Sequence, residues 1–337
     1  MKRISIEEHF TTEEHLKALR SILDKTYHVK EVIHQEKVLG LELPFLAPSL
    51  KEKEVERLLD TGDGRIREMD EAGIDMQVLS LVSPGVQVFE PNHGTALAKE
   101  INDRLHEAVS QHPERLAGLA CLNPQDPPGA AKELERSVRD LGLKGACINS
   151  HVKGEYLDDK KYWAIFETAE KLDVPIYIHP RVPSPGMVAP YLDYPMLATA
   201  MHGFATEVSF HALRLIYAGV FDRFPGLKII LGHLGEGLPF WLWRLDNIWE
   251  RRSHSEKVER RPSRYFKENF FVTTSGIFSQ PALLCAYLAL RAGRILFAVD
   301  YPMESNQMAV SFMDEAVICD KDKEKIYHEN AESLFGL

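Results

Sequence analysis

The chain has 337 residues, 40 Lys and Arg against 50 Asp and Glu, a formal net charge of −10 and 45% hydrophobic residues. That apolar content excludes an intrinsically disordered chain, and the acidic balance argues against a partner held through nucleic-acid phosphates. No apolar run approaches the ~18 residues that span a membrane. Met1-Lys2-Arg3 leads into Glu7-Glu8-His9 rather than into the apolar stretch of a signal peptide. Cys121, Cys147, Cys285 and Cys319 form no CxxC pair, which reads as reduced thiols in a cytoplasmic protein.

Taken in chain order, short apolar and β-branched runs predict strands at Arg3–Ile6, Met76–Leu81, Leu116–Leu122, Leu143–Ile148, Val174–His179, Lys228–Leu231, Phe270–Thr273 and Ile295–Val299. Stretches of helical spacing separate them: Glu54–Leu59 with Arg65–Glu71, Gly94–His112, Pro128–Leu141, Tyr162–Lys171 and Val208–Phe221. Ala72-Gly73-Ile74 and Leu141-Gly142-Leu143 read as helix stops, glycine supplying the left-handed residue. Strands that are continuously apolar suit a parallel sheet covered on both faces. Eight of them alternating with helices predict an α/β fold of the (β/α)8 TIM-barrel type, with residues 1–337 as one barrel domain. No GxGxxG follows the first strand, which weakens an open dinucleotide-binding sheet as the alternative. Residues Phe10–Ser49, carrying His15, His28 and His34, read as an insertion after strand one. Residues Pro180–Thr206 form a second long connection, after strand five. Both belong to the face of a barrel where substrates bind.

In such a barrel the C-terminal ends of the strands share one site. Strand one ends in Glu7-Glu8-His9, strand five in His179-Pro180, strand six in Gly232-His233 and strand eight in Asp300-Tyr301-Pro302. Glu7 and His9, two residues apart, share a face of an extended chain. These carboxylates and imidazoles suit one divalent ion, Zn²⁺ or Mn²⁺, with positions left open for substrate. Each residue alone has a plainer reading: Asp300 as a helix cap, Glu7 as a surface charge, a strand-end histidine as a satisfied loop residue. Four strand ends of one barrel carrying such residues favour the site.

Ser5-Ile6-Glu7-Glu8-His9-Phe10, Tyr177-Ile178-His179-Pro180, Ile230-Leu231-Gly232-His233-Leu234-Gly235-Glu236 and Ala298-Val299-Asp300-Tyr301-Pro302 resemble the metal-dependent amidohydrolase superfamily. Within it they resemble the non-oxidative aromatic acid decarboxylases, the branch of γ-resorcylate, 2,3-dihydroxybenzoate and 5-carboxyvanillate decarboxylases. Ile148-Asn149-Ser150-His151 looks most like the 5-carboxyvanillate enzymes. The Glu-x-His opening matches the benzoate-type decarboxylases, where hydrolytic relatives open with His-x-His. The resemblance implies Glu7, His9, His179 and Asp300 as metal ligands and Asp300 as the acid that protonates the ring carbon. His233, oriented by Glu236, would act beside it. Arg244 would bind a substrate oxygen and Phe204 would pack on the ring, although Arg244 could equally pair with Asp246 or Glu250 and Phe204 could be core. The expected partner is a small aromatic acid, with neither nucleic acid nor membrane, in a homo-oligomer (dimer or tetramer). Met303 departs from the pattern, since the 5-carboxyvanillate enzymes carry tyrosine three residues after the metal-site aspartate. The competing reading is a hydrolase of a lactone or amide, with Asp300 as base. His151 reads as a satisfied loop histidine, and Trp241, Trp243 and Trp249 as core or subunit contact.

Overall fold

The computed structural model describes residues 1–26, 52–252 and 258–337. His28, His34 and most of the expected insertion lie outside the described residues, which retain its opening helix, Glu13–Thr26.

Among the described residues nine strand segments build the sheet: β1 (Ile4–Phe10), β2 (Met76–Leu81), β3 (Leu116–Gly118), β4 (Ala120–Cys121), β5 (Ala146–Asn149), β6 (Ile176–His179), β7 (Ile229–Leu231), β8 (Phe270–Thr273) and β9 (Ile295–Leu296). Every pairing between neighbours is parallel. The third predicted strand is broken at Leu119, whose N–H still reaches Leu79 O at 2.8 Å while Ala120 N turns to Gly145 O. β3 and β4 are thus two halves of one barrel position, and the count is eight. The barrel closes between β1 and the segment after β9, where Ile6 N donates to Phe297 O at 3.2 Å and Asp300 N to Glu7 O at 2.9 Å.

The interior is packed. Ile4, Ile6, Met76, Val78, Ala117, Leu119, Cys147, Tyr177, Ile230, Leu296 and Ala298 form one buried cluster, with Ala331, Leu334 and Phe335 of the last helix beneath them. Each fully buried aliphatic side chain contributes about 1.5–3 kcal/mol. Predicted helices recur as Asp63–Ala72, Pro91–Gln111, Pro127–Arg139, Trp163–Leu172 and Gly203–Tyr217. Among the described residues no helix is long and apolar enough to cross a membrane.

The eighth strand is shorter than its apolar run. Phe297, Ala298 and Val299 are fully buried, but their ladder partners are replaced. Ala298 N donates to Thr274 Oγ1 at 3.0 Å, and Val299 N to Glu8 Oε1 at 3.0 Å. Side-chain acceptors take over the backbone's hydrogen bonds where the chain turns toward Asp300.

Candidate metal centre

β1 places its candidate metal donors by a bulge. Its pairing with β2 runs Ile4 to Met76 and Ser5 to Gln77, then resumes at Glu8 to Leu79. One extra residue reverses which side chains face inward. Ile4 and Ile6 fill the barrel below the shift, and Glu7 and His9 face the centre above it. Glu8 is turned outward, where its carboxylate accepts from Val299 N, Tyr301 N at 3.2 Å and the Ser5 hydroxyl. Burial pushes the Glu8 carboxyl up to about 8.

Glu7, His9, His179 and Asp300 each offer one donor atom, and the four atoms lie within 4.8 Å of one another. His179 Nε2 is 3.6 Å from Glu7 Oε1, and His9 Nε2 is 3.1 Å from Asp300 Oδ1. The far ring nitrogens are engaged: His179 Nδ1 with Asn149 Oδ1 at 3.0 Å, His9 Nδ1 with Ser80 Oγ at 3.3 Å. Glu7 Oε2 accepts from Thr273 Oγ1 at 2.8 Å and from the Ser275 hydroxyl. Glu7 Oε1 and His9 Nε2 are buried without a hydrogen-bond partner. Such orphaned groups are costly unless a cation satisfies them. Two carboxylate and two imidazole donors, already oriented from behind, fit a divalent ion of the Mn²⁺ or Zn²⁺ kind.

His233 and Glu236 stand beside this cluster on a turn that the sequence does not announce. Instead of opening a right-handed helix, His233, Leu234, Gly235 and Glu236 all have positive φ, from 51° to 80°. For residues other than glycine that geometry costs about 1–2 kcal/mol each. It delivers the expected pair: His233 Nδ1 donates to Glu236 Oε1 at 2.7 Å. Nε2 then faces inward, 3.7 Å from Asp300 Oδ2 and 3.9 Å from Glu7 Oε1. The Asp300 and His233 side chains retain 18% and 15% exposure against 1% for Glu7, so these two are the more accessible of the three. The helix beyond Asp300 is capped by Ser305, not by Asp300, whose own φ is +78°.

Charge balances across the site. Burial pulls the His233 imidazolium down, but Glu236, Glu7 and Asp300 together hold its pKa well above the ordinary value. Burial raises the Asp300 carboxyl, yet the neighbouring His233 and His9 imidazoles keep it below the usual range. Burial, with His9 nearby, drives His179 well below its normal value and keeps it neutral, as a ligand must be.

The remaining expected residues are not brought into this cluster. Arg244 is exposed on the helix Leu238–Arg252 and makes no hydrogen bond or ion pair among the described residues. Asp246 is occupied by Ser263, and Glu250 pairs with Arg261. Phe204 is half-buried against the small cluster of Val182, Val188 and Ala198 in the long connection after β6. His151 is a satisfied loop histidine, with Nε2 donating to Val182 O and Nδ1 accepting from Gly154 N. Trp249 packs on the core, whereas Trp241 and Trp243 are exposed. Sequence reasoning gave no role to Thr273, Ser275 or Asn149. The run Thr273-Thr274-Ser275 at the end of β8 carried the same strand-end signal as the ligands, in hydroxyls rather than carboxylates.

A parallel barrel with carboxylate and imidazole donors gathered at one rim defines the amidohydrolase class of enzyme. The chain belongs to the amidohydrolase family, whose sequence model matches residues 15–337. It is 39% identical to the γ-resorcylate decarboxylase of Polaromonas sp. strain JS666, over 99% of this chain and 98% of that protein. The 5-carboxyvanillate decarboxylase of Novosphingobium aromaticivorans, solved with manganese and 4-hydroxy-3-methoxy-5-nitrobenzoic acid, superposes with a TM-score of 0.93 at 36% identity, covering 100% of this chain and 96% of the other. The dihydroxybenzoic acid decarboxylase of Polaromonas sp. JS666, solved with manganese and 2-nitroresorcinol, gives a TM-score of 0.86 at 38% identity, covering 100% and 97%.

Proposed function

We propose that this chain is a single-domain, metal-dependent decarboxylase that converts a hydroxylated benzoate to the corresponding phenol and CO₂. The observation that carries the reading is the convergence of Glu7, His9, His179 and Asp300 donors within 4.8 Å. Its support from similarity is the manganese and nitro-substituted aromatic ligands in the two solved decarboxylases.

Glu7, His9, His179 and Asp300 would hold the ion, which when bound supplies positive charge to orient and polarise the oxygens of the aromatic acid. The reaction replaces a ring C–COO⁻ bond by ring C–H, so it consumes one proton. His233, oriented through Nδ1 by Glu236, is the group that would hand that proton on. Its Nε2 stands 3.7 Å from Asp300 Oδ2. Asp300 passes the proton to the ring carbon that bears the carboxylate, aromaticity is interrupted, and loss of CO₂ restores it. Glu236 keeps His233 aimed, and Ser275 with Thr273 fixes Glu7.

The Arg244 guanidinium, without a partner among the described residues, suits a carboxylate or phenolate oxygen, and Phe204 offers an aromatic face. Phe240, Trp241 and Trp243, exposed along the start of the helix that carries Arg244, are the surface through which a homo-oligomer would form. The deciding experiment incubates the Mn²⁺-loaded protein with a panel of mono- and dihydroxybenzoates and measures CO₂ and the phenol. Release of both supports the reading. Inertness across the panel, or conversion of a lactone or amide without CO₂, overturns it.

A further inference from the structure

Asn149 is the last residue of β5, and its Oδ1 lies 3.0 Å from His179 Nδ1. A neutral imidazole carries its hydrogen on one nitrogen and a lone pair on the other. An acceptor at Nδ1 places the hydrogen there and leaves the Nε2 lone pair facing Glu7 Oε1. We propose that Asn149 is a positioning residue that sets the tautomer and tilt of His179, and that Gln87 holds Asn149 for that task. The inference rests on the metal reading above, which it deepens.

Gln87 is fully buried and reaches across from the segment after β2. Asn149 N donates to its Oε1 at 2.8 Å, and its Nε2 donates to Asn149 O and to His151 O, each at 3.1 Å. One side chain thereby supplies the pairing that a neighbouring strand would otherwise give, at the point where β5 ends.

Ser150, inside this clamp, is held at φ +36°. Backbone in that region costs roughly 1–3 kcal/mol and persists only where its surroundings over-determine it. Here they do: Ser150 Oγ donates to Glu207 Oε1 at 2.9 Å and accepts from His211 Nδ1 at 3.1 Å. On the far side, Gly85 leaves room for the amide, since a Cβ there would stand 2.5 Å from Asn149 Nδ2. A clamp on its main chain, a strained neighbour and a missing Cβ beside its amide all fix the residue that carries the carboxamide. Filling space would require none of them, and would not require an acceptor at position 149.

The test compares full-length wild-type protein with Asn149→Leu, which keeps the volume without the acceptor, and Asn149→Asp, which keeps the acceptor. Ring ¹⁵N NMR of the metal-free chain reads the His179 tautomer, and Mn²⁺ titration followed by electron paramagnetic resonance reads affinity. Wild type and Asn149→Asp are expected to carry the hydrogen on Nδ1. Asn149→Leu is expected to lose that preference and to bind Mn²⁺ about 10- to 100-fold more weakly, the range for removing an orienting partner of a ligand histidine. Asn149→Asp should retain most of the affinity. An unchanged tautomer in Asn149→Leu, or an affinity in Asn149→Asp as poor as in Asn149→Leu, overturns the inference. Should Asn149→Leu fail to fold, Gln87→Met removes the clamp and must shift both readouts in the same direction. A wild-type chain that ignores Mn²⁺ refutes the metal reading, whereas the tautomer in metal-free protein still decides the role of Asn149.

Discussion

Replacing Gly276 by alanine places one methyl group directly against His233. Gly276 has φ +62°, and a Cβ built on it stands 2.8 Å from His233 Cδ2 and 3.2 Å from Nε2. The left-handed backbone alone costs an L-residue about 1–2 kcal/mol. Carbon contacts ordinarily lie at about 3.5–4.0 Å, so the ring must retreat by roughly half an ångström or more. It has little freedom to do so, because Nδ1 is bound to Glu236 at 2.7 Å and the backbone around it is already left-handed. The same Cβ would lie 3.8 Å from Asp300 Oδ2, an ordinary contact that leaves the four ligand atoms in place. A displacement near 1 Å costs on the order of 10²-fold in rate, so a half-ångström shift of His233 should lower kcat about tenfold. Melting temperature should fall by a few degrees. Mn²⁺ affinity should stay unchanged. Initial rates of CO₂ release, a thermal melt and a Mn²⁺ titration on the one variant measure all three. A Gly276→Ala protein with wild-type kcat and stability would refute the close packing of His233 on which this reasoning stands.

Asp300→Asn should keep the fold but lower turnover by about 10²–10⁴-fold, the usual worth of a positioned acid, as measured by CO₂ release under metal saturation. Exhaustive chelation should silence the enzyme and added Mn²⁺ should restore it; full activity in verified metal-free protein contradicts the reading. His15 is fully buried between Thr11 and Gly85, and burial lowers its pKa from 6.5 to about 4. Because the unfolded chain takes up this proton first, stability falls as pH drops from 6.5 toward 4, by about 1.4 kcal/mol per unit from this residue. Denaturant titrations should therefore show His15→Gln losing about 2 kcal/mol less than wild type between pH 6.5 and 5. Equal losses in the two proteins would remove His15 as the source.

The strand count was legible because a parallel barrel strand is buried on both faces and reads as an unbroken apolar run. The candidate site was legible because Glu7, His9, His179, His233 and Asp300 are polar residues at the ends of such runs. What escaped is long-range or conformational. No residue in Ser5–Glu8 marks the bulge, yet that single extra residue decides that Glu7 rather than Glu8 faces the centre. Val299 belongs to an apolar run, but its N–H partner is a carboxylate from β1, almost the whole chain away. Leu234 and Glu236 carry no local preference for left-handed backbone; tertiary packing imposes it. Gln87 lies outside every apolar run and shows its purpose only beside Asn149.

Ile4, Ile6 and Leu296 fill the barrel down onto Ala331, Leu334 and Phe335 of the last helix, so the cylinder is solid below its upper rim and no channel runs through it. Reactant, phenol and gas then share one doorway, the rim that Asp300 and His233 overlook. Traffic through such a vessel is sequential: a lingering phenol blocks the next acid, so inhibition by product should compete directly with substrate.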